Sequence, residues 1–292
     1  MGQLAAVDAQ AYPLAMESLV STDWLADHLG DRDLVVVDAS WHMSSTGRRG
    51  RSEYAQSHIP GARFLDIDAL SDQASTAPHM LPRAEAFGAA MESLGIGSED
   101  QIVVYDNSPL RTAARGWFML RHFGARRVAI LDGGFQKWTA ENRPTEAGEP
   151  EARNASFDLR RSDGQVVTKQ HILRGDHAPL LDARGKGRFE GSEADPRPGI
   201  SPGHIPGARN LPYAAVYSED GTFKSREELF RLFAEAGIDP KRPFVASCGS
   251  GVTANSLIFA AHLLGCDSGQ LYDGSWSEWG ADPDTPKALG PA

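Results

Sequence analysis

The hexapeptide HIPGAR occurs twice in this chain, at residues 58–63 and again at residues 204–209, and its return decides the fold. The first copy follows "LVVVDAS" (34–40) and the second follows "PLLDAR" (179–184). Further on stand "QIVVYDN" (101–107) and "PFVASCG" (243–249), then "AILDGGFQKW" (129–138) and "QLYDGSWSEW" (270–279). Four landmarks thus recur in one order, offset by 141 to 146 residues, and identify a duplicated unit. A length of 292 residues agrees, since domains run to about 100–200 residues.

Within each unit, runs such as "LVVVD", "IVVYD" and "AIL" are apolar, β-branched and of strand length, as in a buried parallel sheet. Helical stretches separate them. "RTAARGWFMLRHFG" (111–124) ends in a glycine suited to a helix stop, and "SREELFRLFAEAG" (225–237) opens on a serine cap and also ends in glycine. The alternation predicts an α/β fold of two tandem domains, each a parallel-sheet core flanked by helices. The expected layout is an N-terminal extension (1–18), a first unit (19–140), a polar linker (141–164), a second unit (165–285) and a tail (286–292).

The net charge is −10 and no Lys/Arg-rich run of five to eight residues appears, which argues against a nucleic-acid partner. A local basic spot for a small anion stays open. Two cysteines make neither a disulfide framework nor a zinc site. The first twenty residues lack an early Lys or Arg, and Asp8 interrupts their apolar stretch, unlike a targeting segment. Ala6 stands where a myristoylation motif needs Ser or Thr, and no run of 18 apolar residues predicts a membrane span. The expected setting is cytoplasmic, without a membrane partner.

Cys248 lies in "VASCGSGVTANS" (245–256), directly after a strand and before a helix. That is the carboxyl end of a strand, where open α/β sheets bind ligands. Gly249, Ser250 and Gly251 let the backbone curl so that its amides face inward with a helix N-terminus behind them. Such a cradle stabilises an anion, the form in which a thiol attacks. Cys248 is therefore the candidate nucleophile. Cys266 sits in a helix-to-strand connection without a glycine cradle and reads as structural. In the first unit the place of Cys248 is taken by Asp106, so that unit keeps only a structural and substrate-walling role. His58 and His204 occur in both units, including the one without a cysteine, and read as turn formers.

The tandem units, "CGSGVTA", the two HIPGAR copies and "YDGSWSEW" resemble the rhodanese superfamily of sulfurtransferases, from about Leu19 to Gly280. The loop Cys248-Gly249-Ser250-Gly251-Val252-Thr253 is similar to that of the branch acting on 3-mercaptopyruvate. Thiosulfate-using members place basic residues just after the cysteine, where this chain has Gly249 and Ser250. The resemblance implies that Arg188 and Arg197, in a Gly/Pro-rich loop, bind the donor's carboxylate and keto oxygen, which suits the planar guanidinium fork. By themselves the two arginines read equally well as solvated loop residues. Gly249, Gly251, Val252 and Thr253 are implied as the remaining substrate-binding positions.

The same resemblance pairs Ser250 with His79 and Asp68, eleven residues apart in the segment after the first HIPGAR, as a Ser-His-Asp set at the domain interface. Taken alone, these are loop polar residues. The implied reaction moves sulfur from 3-mercaptopyruvate through a Cys248 persulfide to a thiol, thioredoxin or cyanide, releasing pyruvate with no metal or organic cofactor. The alternatives are a thiosulfate:cyanide sulfurtransferase and, from another class, a non-catalytic sulfur-relay or protein-binding module. A cysteine phosphatase would need Arg six positions after Cys248, where Ala254 stands, and a serine-hydrolase elbow would need Gly in place of Cys248.

Overall fold

The computed structural model describes residues 16–151, 153–160 and 164–292. Most of the expected N-terminal extension therefore lies outside the described residues. The first unit contains β1 (Leu19–Val20), β2 (Leu34–Asp38), β3 (Arg63–Phe64), β4 (Gln101–Tyr105) and β5 (Arg127–Leu131). The second contains β6 (Val166–Val167), β7 (Leu180–Asp182), β8 (Arg209–Asn210), β9 (Phe244–Ser247) and β10 (Gly269–Tyr272). Both sheets are parallel throughout, with the same order: β1-β5-β4-β2-β3 and β6-β10-β9-β7-β8. The register repeats as well, Asp38 opposite Tyr105 in one and Asp182 opposite Ser247 in the other. The fold is the expected pair of α/β units.

Strand side chains alternate between the two faces of each sheet, so every strand feeds two apolar layers. Val36, Val103, Tyr105, Ala129 and Leu131 point into an outer layer with Tyr54 and Trp138. Val35, Val37, Ile102 and Val104 point into an inner layer with the helix Ala113–Phe123. That inner layer does not end with the unit. It continues through the second unit's helix Ala254–Leu263 to Leu181, Phe244 and Ala246, and Trp117 meets Phe259 edge-on at 4.8 Å. The two units thus share one apolar core, which fixes their active ends against each other.

Helix Ala113–Phe123 can approach the sheet closely because residue 116 has no side chain. A Cβ at Gly116 would lie 3.0 Å from Ala39 Cβ and 3.0 Å from Val104 Cγ1. The predicted cap of the helix Arg226–Glu235 is present as a capping box between Ser225 and Glu228.

The duplication is also a two-way clasp. In the first unit the backbone N–H of Leu81 donates to Asp273 Oδ2 of the second at 2.6 Å. In the second, the N–H of Phe223 donates to Asp132 Oδ1 of the first at 2.8 Å. Asp132 and Asp273 are the same position of the repeat. Each HIPGAR histidine anchors a returning segment: His58 pairs with Glu146 and His204 with Ala288 as antiparallel bridges. Both rings stack on an aromatic neighbour, Tyr54 at 4.1 Å and Phe189 at 3.8 Å, and each Nδ1 meets a backbone carbonyl. The segment expected as a linker packs, where described, along the first unit: Arg63 Nη1 donates to Pro150 O at 3.0 Å, and Phe157 is buried beside Phe87.

Gly116→Val should destabilise the protein by about 1–3 kcal/mol, the cost of overpacking a filled interface. Equilibrium urea unfolding measures this, and an unchanged midpoint would mean that the helix does not need the close approach.

Candidate active site

β9 delivers Cys248, and the loop 248–253 leads into the helix Ala254–Leu263. The loop's shape is imposed from the neighbouring strand end. Ser275 Oγ accepts the N–H of Cys248 at 3.0 Å and of Gly251 at 3.1 Å, and itself donates to Tyr272 O at 2.8 Å. The carbonyl of Cys248 accepts from Trp276 N at 3.0 Å, and that of Gly249 from Ser277 N at 2.8 Å. Gly251 is required: its φ is +74°, and a Cβ there would meet Asp273 O at 2.5 Å. Not every loop amide faces an anion, as the sequence suggested. Those of Cys248 and Gly251 are committed to Ser275, whereas those of Gly249, Ser250, Val252 and Thr253 have no protein acceptor among the described residues.

In the first unit the equivalent loop holds a built-in anion position. The Asp106 carboxylate accepts the N–H of Ser108 at 2.7 Å and of Ala113, at the start of the helix, at 2.8 Å. Burial pushes its carboxyl above the usual range while those two amides draw it back. The same strand–loop–helix turn carries a thiol in one unit and a carboxyl in the other.

The structure brings Ser250, His79 and Asp68 together across the interface. His79 Nδ1 lies 2.8 Å from Ser250 Oγ, and its Nε2 lies 3.2 Å from Asp68 Oδ1. His79 and Ser250 are buried, whereas the Asp68 side chain is 65% exposed. The hydrogen bond to His79, helped by one from Trp41 Nε1 at 2.8 Å, holds the Asp68 carboxyl below the usual range against partial burial. An ionised carboxylate only accepts, so in the neutral imidazole this geometry places the proton on Nε2 and leaves Nδ1 to accept the Ser250 hydroxyl. His79 adopts a left-handed φ of +61°, uncommon for a residue other than glycine.

Arg115 holds that conformation. Its Nη2 donates to His79 O at 2.5 Å, and its Nη1 donates to Gly251 O at 3.1 Å and to Asp273 Oδ1 at 2.9 Å. Both partners of the ion pair are buried, at 1% and 4% side-chain exposure. One guanidinium therefore joins His79, the cysteine loop and the interdomain clasp.

Arg188 and Arg197 flank the loop from the second unit. Arg188 lies in the short helix Lys186–Glu190, not in an open loop as the Gly/Pro content suggested, because Gly185 and Gly191 bound a helical turn. Both arginines lean on the buried Asp195: Arg188 through Nη2 to Oδ2, and Arg197 through Nη1 to Oδ1 at 3.4 Å. Arg197 Nη1 also reaches Gly249 O at 3.3 Å. Burial pulls Arg197 below the usual guanidinium range, and Asp195 opposes this. A Cβ on Gly249 would stand 3.2 Å from the Nη2 of each arginine, so this face of the loop is already filled by cations.

A cavity joins Cys248, Gly249, Ser250, Val252 and Thr253 to the two arginines. Trp41, Met43 and Leu110 close it from the first unit. Trp41 also sits edge-on to the His79 ring at 4.6 Å. Sequence reasoning missed Trp41, Arg115, Asp273 and Ser275. Arg115 did leave a signal, as a charge amid the apolar run of a helix, and Asp273 stands inside a quoted repeat landmark. Cys266 is buried away from this site, its Sγ 3.3 Å from Ser268 Oγ.

The family model described as "Rhodanese-like domain" matches residues 21–141 and 167–282. A mouse protein named 3-mercaptopyruvate sulfurtransferase is 41% identical over 278 residues, covering 92% of this chain and 94% of its own. A protein of the same name from Escherichia coli K12 is 42% identical, covering 91% and 96%. The crystal structure of a 3-mercaptopyruvate sulfotransferase from Escherichia coli aligns with a TM-score of 0.81 at 38% identity, over 90% of this chain and all of that one.

Arg115→Met should destabilise the protein by about 3–5 kcal/mol, because it strands the buried Asp273 carboxylate. Adding Asp273→Leu should recover part of the loss. Urea unfolding of the single and double variants measures the coupling, and strictly additive effects would remove this pair from its role in the interface.

Proposed function

This chain belongs to the rhodanese-like family, and we propose that it is a 3-mercaptopyruvate sulfurtransferase in which Cys248 carries the sulfur. The observation that carries the reading is the hydrogen-bonded series Ser250–His79–Asp68, supplied by two units to a loop with one cysteine. A thiosulfate donor needs no such series, because its leaving sulfite needs no proton at carbon. Whether an α-keto thiol is used turns on that difference.

Arg188 and Arg197 take the donor's carboxylate and keto oxygen, which places its sulfur over Cys248. The Cys248 thiolate attacks this sulfur; an S–S bond forms and the C3–S bond breaks. The electron pair passes into the enolate of pyruvate, whose C3 must then gain a proton. The Ser250 hydroxyl, hydrogen-bonded to His79 Nδ1, handles that proton, and Asp68 keeps the imidazole in the tautomer and orientation required. The free amides of Gly249, Ser250, Val252 and Thr253 stabilise the sulfur anion, as an oxyanion hole stabilises oxygen. The Cys248 persulfide then passes its outer sulfur to a small thiol, reduced thioredoxin or cyanide, and the thiolate returns.

The neutral pair Gly249 and Ser250 supports the keto-acid donor over thiosulfate, the alternative within the family. Both cysteines are free, which fits the reducing cytoplasm proposed as the setting. Among the described residues no helix is long and apolar enough to cross a membrane.

After incubation with 3-mercaptopyruvate, mass spectrometry should find one added sulfur on Cys248. Cys248→Ser should form no persulfide, whereas Cys266→Ser should keep most of its turnover. Sulfur recovered on Cys266 instead would overturn the assignment.

Ser250→Ala should lower kcat for 3-mercaptopyruvate by about a hundredfold with little change in KM, and slow thiosulfate turnover less. Arg188→Ala and Arg197→Ala should mainly raise KM. For the unaltered enzyme, kcat/KM for 3-mercaptopyruvate should exceed that for thiosulfate by at least about tenfold. Coupled pyruvate and thiocyanate assays measure both, and an unchanged kcat in Ser250→Ala would take the relay out of the mechanism.

A further inference from the structure

A second cleft, of about 390 Å³, opens in the first unit beside the relay. It is lined by Arg48, Arg49 and Arg51, by His42, and by Trp41 and Asp68. Trp41 also walls the Cys248 cavity, so the two spaces share a wall residue. The three arginines fall within four positions in a chain of net charge −10.

Their charges are unequally answered. Arg48 is held by Glu53 through two bonds, 2.7 Å from Nε and 2.6 Å from Nη2. Arg51 meets Glu149 at 2.9 Å, but both side chains are at least half exposed, so solvent weakens the pair. Arg49 has no side-chain partner among the described residues. Asp66 also lines the cleft, yet its carboxylate accepts Ala69 N at 3.0 Å, and Asp68 is engaged by His79 and Trp41. The buried His42 keeps its Nε2 on Glu53 at 3.2 Å, while its buried Nδ1 has no partner. The cleft thus offers one unanswered guanidinium, that of Arg49, and one held only by an exposed ion pair, that of Arg51.

We propose that this cleft is the acceptor subsite, and that it binds a small thiol bearing two or more carboxylates through Arg49 and Arg51. The inference rests on the reading of Cys248 as the sulfur carrier. The donor's single carboxylate already has Arg188 and Arg197 beside the cysteine, which leaves these arginines for the second substrate. With its carboxylates here, the acceptor extends its sulfur past Trp41 into the cavity emptied by pyruvate. Its thiolate attacks the outer sulfur of the Cys248 persulfide; a new S–S bond forms, the old one breaks, and the electron pair returns to Cys248 Sγ. The acceptor leaves as a hydropersulfide, and no outside oxidant or reductant is needed.

The test compares two thiols as acceptors for the full-length enzyme with 3-mercaptopyruvate as donor: mercaptosuccinate, a dicarboxylate, and 2-mercaptoethanol, which is neutral. Arg49→Ala should raise KM for mercaptosuccinate about fivefold, the loss of one partly solvated charge-assisted hydrogen bond. In Arg49→Ala, KM for 2-mercaptoethanol and for the donor should stay unchanged. Arg49→Lys should restore most of the loss, Arg51→Ala should act in the same direction, and of the two acceptors added salt should weaken mercaptosuccinate and not 2-mercaptoethanol. Equal shifts for both thiols, or a raised donor KM, would overturn the subsite. An effect confined to reduced thioredoxin would overturn it too, by making the arginines a protein-docking surface. A single-turnover burst of pyruvate, measured without acceptor, separates the two proposals. Its absence in the unaltered enzyme would remove the reading of Cys248 and the subsite with it, whereas its persistence in Arg49→Ala confines any failure to the subsite.

Discussion

The buried pair Arg115–Asp273 is the constraint on which the site depends. Each unit has its own sheet, but Ser250 comes from one unit and His79 and Asp68 from the other. Arg115 rises from the first unit's helix and reaches the Gly251 carbonyl, the Asp273 carboxylate and the His79 carbonyl together. Three atoms from three chain segments are thereby fixed to one rigid, planar cation. Asp273 is fixed in turn by Leu81 N, two residues beyond His79. The left-handed backbone of His79 costs energy, and it persists because its flanks are tied to the second unit. The distance from Ser250 Oγ to His79 Nδ1 follows from that clasp more than from either residue's own loop.

Duplication explains how a unit without a nucleophile stays necessary. The clasp has two halves, Leu81 on Asp273 and Phe223 on Asp132, so each unit's segment after HIPGAR covers the other's strand-end loop. One of the two loops could lose its cysteine without loosening the assembly, provided something answered its amides. Asp106 does so with a carboxylate on Ser108 N and Ala113 N. The first unit's loop has a different task. Ser108 Oγ bonds Trp41 O at 2.5 Å, and Thr112 Oγ1 accepts Trp41 N at 3.2 Å, which fixes the indole that walls the cysteine cavity and holds Asp68.

Much of this was legible in the sequence, for identifiable reasons. Parallel sheets bury both faces, so "LVVVD" and "IVVYD" announce themselves as continuous apolar runs, and a repeated hexapeptide fixes their multiplicity. Cys248 was legible because its neighbours are glycines at a strand end. The partners across the interface were not. Which residue of one unit meets which of the other depends on the packing of two helices, and no local pattern encodes it. Asp68 and His79 were reached through family resemblance, and Trp41 and Ser275 not at all. The shape of the amide cradle was also misjudged, because a strand pattern does not show that Ser275 Oγ takes two of its donors.

The neutral residues after the cysteine follow from the same packing. Arg188 and Arg197 converge on Gly249 so closely that a Cβ there would sit 3.2 Å from both guanidinium groups. A basic side chain at that position would meet two like charges with no room to avoid them. The cations that a sulfonate-binding loop would carry are here supplied from the neighbouring segment and pinned by Asp195. Asp195 answers one of the two positive charges, which under the proposed function leaves about one for the carboxylate of the donor. Under the proposed function, the choice between a keto acid and thiosulfate rests on where the charge is mounted: on the cysteine loop it would sit on the reacting sulfur, and on the arginine segment it would sit on the donor's far end.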